Sequence, residues 1–297
     1  MLVDKIIKKG NRKIAKLTHL NSYKFHVPPG HFYSPLISED FVRQYEDRIF
    51  ENRSKEIPAV DLNEEGQVKL LKQFQKYYDE LPFTEEKQPN LRYALRNEYF
   101  DYSDGFFLHA MIRHYKPKRI VEVGSGFSSA MMLDTNDLFF ENKIDLTFIE
   151  PNPERLKSNL KPGEEINLYD QNVQDVELDV FTQLEENDIL FIDTSHVVKT
   201  GGELNYLVFN ILPLLQKGVK IHIHDIFFPF EYPREWVIEQ KRGWNETYFI
   251  RAFLMYNNAY KIIAFNSFLE FHYTDLLKER FPILLKQEAK SLWLTKE

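Results

Sequence analysis

The 297-residue chain carries 38 Lys and Arg against 45 Asp and Glu, a net charge of −7, and no cysteine. Its 43% hydrophobic and 28% charged residues are the composition of a folded chain with a sizeable core. The acidic balance excludes nucleic acid as the main partner, since phosphate neutralisation needs a clustered basic surface. Without cysteine there are no disulfides, thiolate metal sites or Cys nucleophile, which fits a reducing, cytoplasmic setting.

The N-terminus is the one basic stretch. Lys5, Lys8, Lys9, Arg12, Lys13 and Lys16 alternate with Leu2, Val3, Ile6, Ile7, Ile14 and Leu17 at roughly helical spacing. Two readings stay open: a solvated helix with one packed face, or a peripheral helix resting on an anionic membrane surface. Neither a signal peptide nor a bilayer-spanning segment is expected.

Residues 27–35 hold three prolines and Gly30, so they cannot be helix interior. Ser38 is placed to cap a helix with Glu39 and Asp40 in its first turn. Asn63 starts another, with Val68, Leu71, Phe74 and Tyr78 on one face. Residues 1–90 therefore read as a helical, proline-rich cap or lid, and 91–297 as the main domain.

From residue 90 helices and strands alternate. A helix over 103–114 leads into an apolar strand at 119–123. Further strands are expected at 145–150, 166–170, 188–193, 219–225, 260–265 and 291–296, with helices at 203–215 and 244–257 among the connections. Short apolar strands alternating with helices imply an α/β fold with a parallel sheet covered on both faces. Ligands in such sheets bind at the carboxyl ends of the strands.

The first strand runs into Glu122-Val123-Gly124-Ser125-Gly126. Two glycines let a ligand approach the backbone. The third glycine of a dinucleotide fingerprint is absent, its place held by Ser129. Glu122 is awkward beside a pyrophosphate but favourable near an ammonium and a sulfonium. The alternative is a tight strand-to-helix turn with no ligand. Glu150 ends the second strand, where an acid accepts both hydroxyls of a ribose.

These segments, together with 148–150, 172–175 and 190–193, resemble the successive motifs of class I S-adenosylmethionine-dependent methyltransferases. Residues 28–35, 192–199, 221–233 and 291–296 resemble one bacterial branch of that class with mostly unassigned substrates. The resemblance implies a Rossmann-like sheet in the order 3-2-1-4-5-7-6, its seventh strand antiparallel. It also implies Gly124 and Gly126 against the amino-acid part of S-adenosylmethionine, with Ser125 between them, Glu150 on the ribose, and Gln174 at the adenine. In catechol-type relatives a metal-binding acid lies at the position of Asp193, beside the cofactor, and a basic catalytic residue lies three further on, where this chain has His196.

Methyl transfer to a hydroxyl releases a proton, and His196 is the expected base; the alternative is that it caps or packs under the next helix. On the fifth strand His222 and His224 share a face. His222, deeper, reads as a hydrogen-bonded core histidine, whereas His224 and Asp225 end the strand as catalytic candidates. Asp193, His224 and Asp225 form a tentative divalent-metal set, although the catechol pattern has Asp-Asn where this chain has His-Asp. The aromatic run 227–234 serves either the pocket or the core, and His31 and Tyr33 are candidates for a lid.

The expected activity is O-methylation of a small-molecule or glycan hydroxyl. The rival readings are a metal-dependent hydrolase built on His-x-His-Asp and a non-catalytic cofactor-binding module.

Overall fold

A computed structural model of the chain describes residues 26–51 and 54–297, and the expected basic helix at 2–17 lies outside them. Seven strands form one sheet: β1 (Arg119–Val123), β2 (Asp145–Ile149), β3 (Asn167–Tyr169), β4 (Ile189–Ile192), β5 (Lys220–Ile223), β6 (Tyr260–Phe265) and β7 (Leu292–Lys296). Their spatial order is β3-β2-β1-β4-β5-β7-β6. The first five run parallel, and β7 is antiparallel to both β5 and β6. This is the expected order and the expected antiparallel strand.

The central strands are buried along nearly their whole length because helices cover both faces. Ile120, Val121, Leu190, Phe191, Ile221 and Ile223 are all buried. Helix α1 (Glu39–Gln44) starts as expected at Ser38, whose hydroxyl accepts the Phe41 N–H. Short helix α2 (Glu46–Phe50) follows, then α3 (Glu64–Gln73) and α4 (Gln75–Asp79).

Asn63 precedes α3 in the left-handed region and does not cap it. Its amide instead donates to the Ile262 carbonyl, 2.8 Å away. Gln67, fully buried on α3, accepts the Phe265 N–H and donates to Leu62 O, each at 2.6 Å. These bonds engage backbone groups of β6 at the edge of the sheet.

Helix α5 (Tyr102–Tyr115) is buried continuously from Tyr102 to Ile112. One face meets Phe74, Tyr78 and Phe83 from the preceding segment through ring contacts. Gly105 is required there, since a Cβ would fall 2.1 Å from the Tyr93 hydroxyl. The same segment is anchored by Arg92, a buried guanidinium within 2.6 Å of Asp134 and 2.8 Å of Asp137, and paired with Glu164. Asp134 and Asp137 lie on α6 (Phe127–Phe140).

The remaining helices are α7 (Glu154–Asn159), α8 (Asp179–Thr182), α9 (Glu203–Tyr206), α10 (Glu246–Leu254), α11 (Asn266–His272) and α12 (Thr274–Arg280). The helix expected over 203–215 changes pitch. After α9 it widens to a π turn at Leu207–Ile211 and tightens to a 3₁₀ turn at Leu212–Leu214. Pro213 is the cause: it brings no N–H, and its ring clashes with the carbonyl of an α-helical preceding turn.

Strand order reverses between β1 and β4, so their carboxyl ends diverge into a crevice. Among the described residues no helix is long and apolar enough to cross a membrane.

Candidate active site

A cleft of about 870 Å³ opens at the carboxyl ends of β1, β2, β4 and β5. Gly124, Ser125, Gly126, Glu150, Gln174, Asp193, His196, His224 and Asp225 all line it. Of the expected cofactor residues only Glu122 does not.

The glycine loop is shaped by close approach. Gly124 has φ +86°, and a Cβ there would sit 1.6 Å from the Asp193 carbonyl oxygen. Only glycine fits, because both the backbone angle and the space exclude a side chain. The loop is held from both sides: the Gly124 N–H donates to Ile149 O, and the Ser125 N–H donates to Glu150 Oε2 at 3.1 Å. Glu150 Oε1 takes the Asn152 N–H at 2.7 Å, which fixes the carboxylate at the cleft edge.

Glu122 departs from its expected role. Its carboxyl group is fully buried beneath the loop, accepting from Ser128 Oγ at 2.5 Å and from Ser129 Oγ. Burial pushes its pKa up to about 8 against the opposing effect of the serine hydroxyls. A largely neutral acid that joins β1 to the start of α6 offers no charge to a sulfonium. Its side chain points to the start of α6 and does not line the cleft, whereas Val123, next along the strand, does.

Gln174 lies opposite. Its amide donates to Gly201 O at 2.9 Å, while Oε1 is buried at the cleft wall with no protein partner. The Ser125 hydroxyl is likewise buried without a partner.

At the far end His196 is surrounded by carboxylates. Its Nδ1 lies 2.8 Å from Glu246 Oε2, and its Nε2 lies 3.4 Å from both Asp193 Oδ1 and Asp225 Oδ2. The His196 carbonyl accepts the N–H groups of Asn245 and Glu246, so the residue is clamped onto the start of α10 by backbone and ring together. Asn245 Oδ1 adds a 2.6 Å bond from the Val198 N–H. His196 and Asp225 both occupy the left-handed region, at φ 59° and 55°. Such strain in two non-glycine residues at one cleft marks a site held by its surroundings.

The electrostatics follow from the packing. Burial disfavours an imidazolium at His196, but the hydrogen bonds of Asp193 and Glu246 and the charges of Glu246 and Asp225 outweigh it and hold the pKa well above the usual value. Burial also opposes the Asp193 carboxylate, yet His224 and His196 bring its pKa down to about 2. Burial raises Asp225 and Glu246.

The tentative metal set does not form. Among the described residues no three His, Cys, Asp or Glu side chains are arranged to hold a metal ion. The His196 ring stands between the two carboxylates that would have to converge. His224 turns against Phe100, ring centroids 5.2 Å apart, with Nε2 3.6 Å from Asp225 Oδ1. This arrangement does not fit a divalent cation.

His222 lies in the core, stacked 3.9 Å from Phe191 and kept neutral by burial. Neither ring nitrogen has a protein hydrogen-bond partner, contrary to the expectation of a bonded core histidine. The His-x-His-Asp hydrolase reading loses its first histidine with it.

The aromatic run 227–234 lies behind the cleft. Phe227, Phe230 and Tyr232 are buried, and Tyr232 and Trp236 pack against Trp244. His31 and Tyr33 stack on Phe32 and line no part of the cleft. The aromatic walls are instead Tyr99, Phe100, Phe127 and Trp244. Trp244 lies 4.2 Å from the His196 ring. Neither Trp244 nor Glu246 carried a motif signal, because each reaches the site through tertiary packing from a helix start.

The sheet order and the glycine turn after β1 are those of a Rossmann-like α/β fold. A methyltransferase-domain family model matches residues 121–226, from within β1 to just past β5. Over those residues the chain carries a methyltransferase domain. An uncharacterized protein of Archaeoglobus fulgidus is 42% identical over 166 residues, 54% of this chain and 75% of that protein. Among solved structures, the SAH-bound Podospora anserina methyltransferase PaMTH1 is similar at 15% identity and a TM-score of 0.42, over 93% of this chain and 100% of that one. The O-methyltransferase TomG from Streptomyces achromogenes, in complex with SAM, aligns at 14% identity and a TM-score of 0.43, over 86% and 96%.

Proposed function

We propose that the enzyme methylates a hydroxyl of a small molecule or glycan, with His196 as the group that takes the proton. The observation that carries this reading is the Glu246–His196 pair. With Nδ1 tied to Glu246, Nε2 is the nitrogen that faces the cleft, at the same wall as Asp193 and Asp225.

S-adenosylmethionine, the cofactor this reading requires, would supply an electrophilic methyl. Glu150 would accept the two ribose hydroxyls; this is supported by its oxygens being held at the cleft edge by the Ser125 and Asn152 N–H groups. Gln174 Oε1 is free to accept from an adenine amino group. Gly124 gives the methionine part direct access to the backbone.

An acceptor hydroxyl held at Nε2 would pass its proton to that nitrogen as its oxygen takes the methyl group that the bound cofactor would supply. For this His196 must first lose the proton its carboxylates favour. A positive sulfonium in the cleft lowers that preference, because like charges destabilise the imidazolium. Most of the rate comes from orientation in a dry cleft. The segment before residue 90 is read as a cap packed beside the sheet.

The test is a panel of hydroxyl, amine and thiol acceptors assayed for S-adenosylhomocysteine, with the methylated atom assigned by NMR of the product. A methyl found on oxygen is the expected result; a methyl on nitrogen or sulfur sinks the hydroxyl reading.

A further inference from the structure

Arg242 stands on the acceptor side of the cleft without an acidic partner. Its guanidinium lies 3.7 Å from the Trp236 ring centre and 4.5 Å from that of Trp244. Among the described residues no carboxylate pairs with it and no acceptor takes its side-chain N–H groups. Arg234, eight residues earlier, pairs with both Glu46 and Glu239.

Two indole faces hold the guanidinium by cation–π contact and restrict its orientation. These contacts use no hydrogen-bond donor of the guanidinium, so its N–H groups remain available to an oxyanion through paired hydrogen bonds. Trp244 touches both Arg242 and His196, so the cation and the proposed proton acceptor lie on one continuous wall. Arg155, the other stacked arginine of the cleft, lies over Tyr99 beside Gly126 and so belongs to the cofactor end.

We infer that the acceptor carries an oxyanion, a carboxylate or a phosphate, which Arg242 binds while Trp244 supports the ring between that group and the reacting hydroxyl. The inference rests on the hydroxyl-acceptor reading for its second half only. The deep carboxylates Asp193 and Asp225 repel an anion from the methyl-transfer point, whereas Arg242 attracts it to the rim; together they impose one orientation.

The experiment measures binding by tryptophan fluorescence and calorimetry on the full chain saturated with S-adenosylhomocysteine. Matched probes are glucuronate against glucose, glucose 1-phosphate against glucose, and 4-hydroxybenzoate against 4-hydroxybenzamide. At least one anionic probe is expected to bind roughly tenfold tighter than its neutral partner, the scale of a charge-assisted bidentate contact. The carboxylate and phosphate arms distinguish the two oxyanions. Arg242→Gln is expected to erase the preference and leave S-adenosylhomocysteine affinity unchanged. Equal binding of all pairs, or a preference that survives in Arg242→Gln, overturns the inference. Neither outcome depends on turnover, so a methyl found on nitrogen defeats the hydroxyl reading while leaving the anion subsite to stand or fall on binding.

Discussion

Glu246 Oε2 lies 2.8 Å from His196 Nδ1, joining the start of α10 to a loop fifty positions earlier in the chain. The pair fixes the orientation of the imidazole and, together with Asp193 and Asp225, favours its charged form. His196→Ala is expected to lower turnover by about 100-fold or more while sparing cofactor affinity, the scale of a lost general base. Glu246→Gln removes a neighbour that raises the His196 pKa. If the neutral ring is the active form, the rate rises with pH through that pKa, and the variant's rising limb shifts to lower pH. A pH–rate profile with an unmoved limb would contradict the assignment.

Metal removal separates this enzyme from a metal-assisted mechanism. Because the His196 ring stands between Asp193 and Asp225, activity is expected to persist after chelation and to gain nothing from added Mg²⁺ or Mn²⁺. Loss on chelation with recovery on add-back would show that the three side chains rearrange around a cation.

Glu122 predicts a stability trend with pH. Its folded-state pKa is about 8 against an ordinary value of 4.5. Between those values the unfolded chain has released a proton that the folded chain retains, so stability falls as pH rises through this window. Glu122→Gln removes that contribution. Urea midpoints at pH 5 and pH 8 should differ less in the variant than in the wild type.

Gly124→Ala tests the close approach of β1 to β4. The new methyl would overlap the Asp193 carbonyl, and φ is +86°. Overpacking and backbone strain together are expected to cost about 3 kcal/mol or more. Thermal unfolding with a midpoint close to that of the wild type would refute the geometry.

Arg92→Met tests the anchor between the 81–95 segment and α6. The substitution leaves Asp134, fully buried, without its cation. Breaking one side of such a buried pair typically costs about 3–5 kcal/mol. Denaturation should show a loss of that size, and substitution of the exposed partner Lys161 should cost far less.

The sheet was largely legible in the chain because local chemistry specifies it. The run 189–192 is apolar without alternation, and 119–123 is apolar but for Arg119 and Glu122, the pattern of strands covered on both faces. The turn at Gly124 and Gly126 and the acid at Glu150 follow their strands by short, local rules, so their place at the cleft could be read in advance. The helix at 203–215 was legible in extent but not in pitch, which Pro213 and its packing altered.

What residues face across a fold is not written in local order. Glu122 sits in the recognisable motif, yet strand alternation and the hydroxyls of Ser128 and Ser129 turn it under the loop. His196 was visible as a candidate, but its partner Glu246 and its neighbour Trp244 come from another element. The same holds for Arg242, whose isolation from carboxylates is a property of the folded surface. Sequence alone determined the glycine turn after β1 and the acid after β2, because backbone conformation and hydrophobic pattern dictate where a strand ends and how tightly it turns. Only the tertiary structure decided what surrounds His196 and Arg242, because distances between side chains distant in the chain depend on how the elements pack.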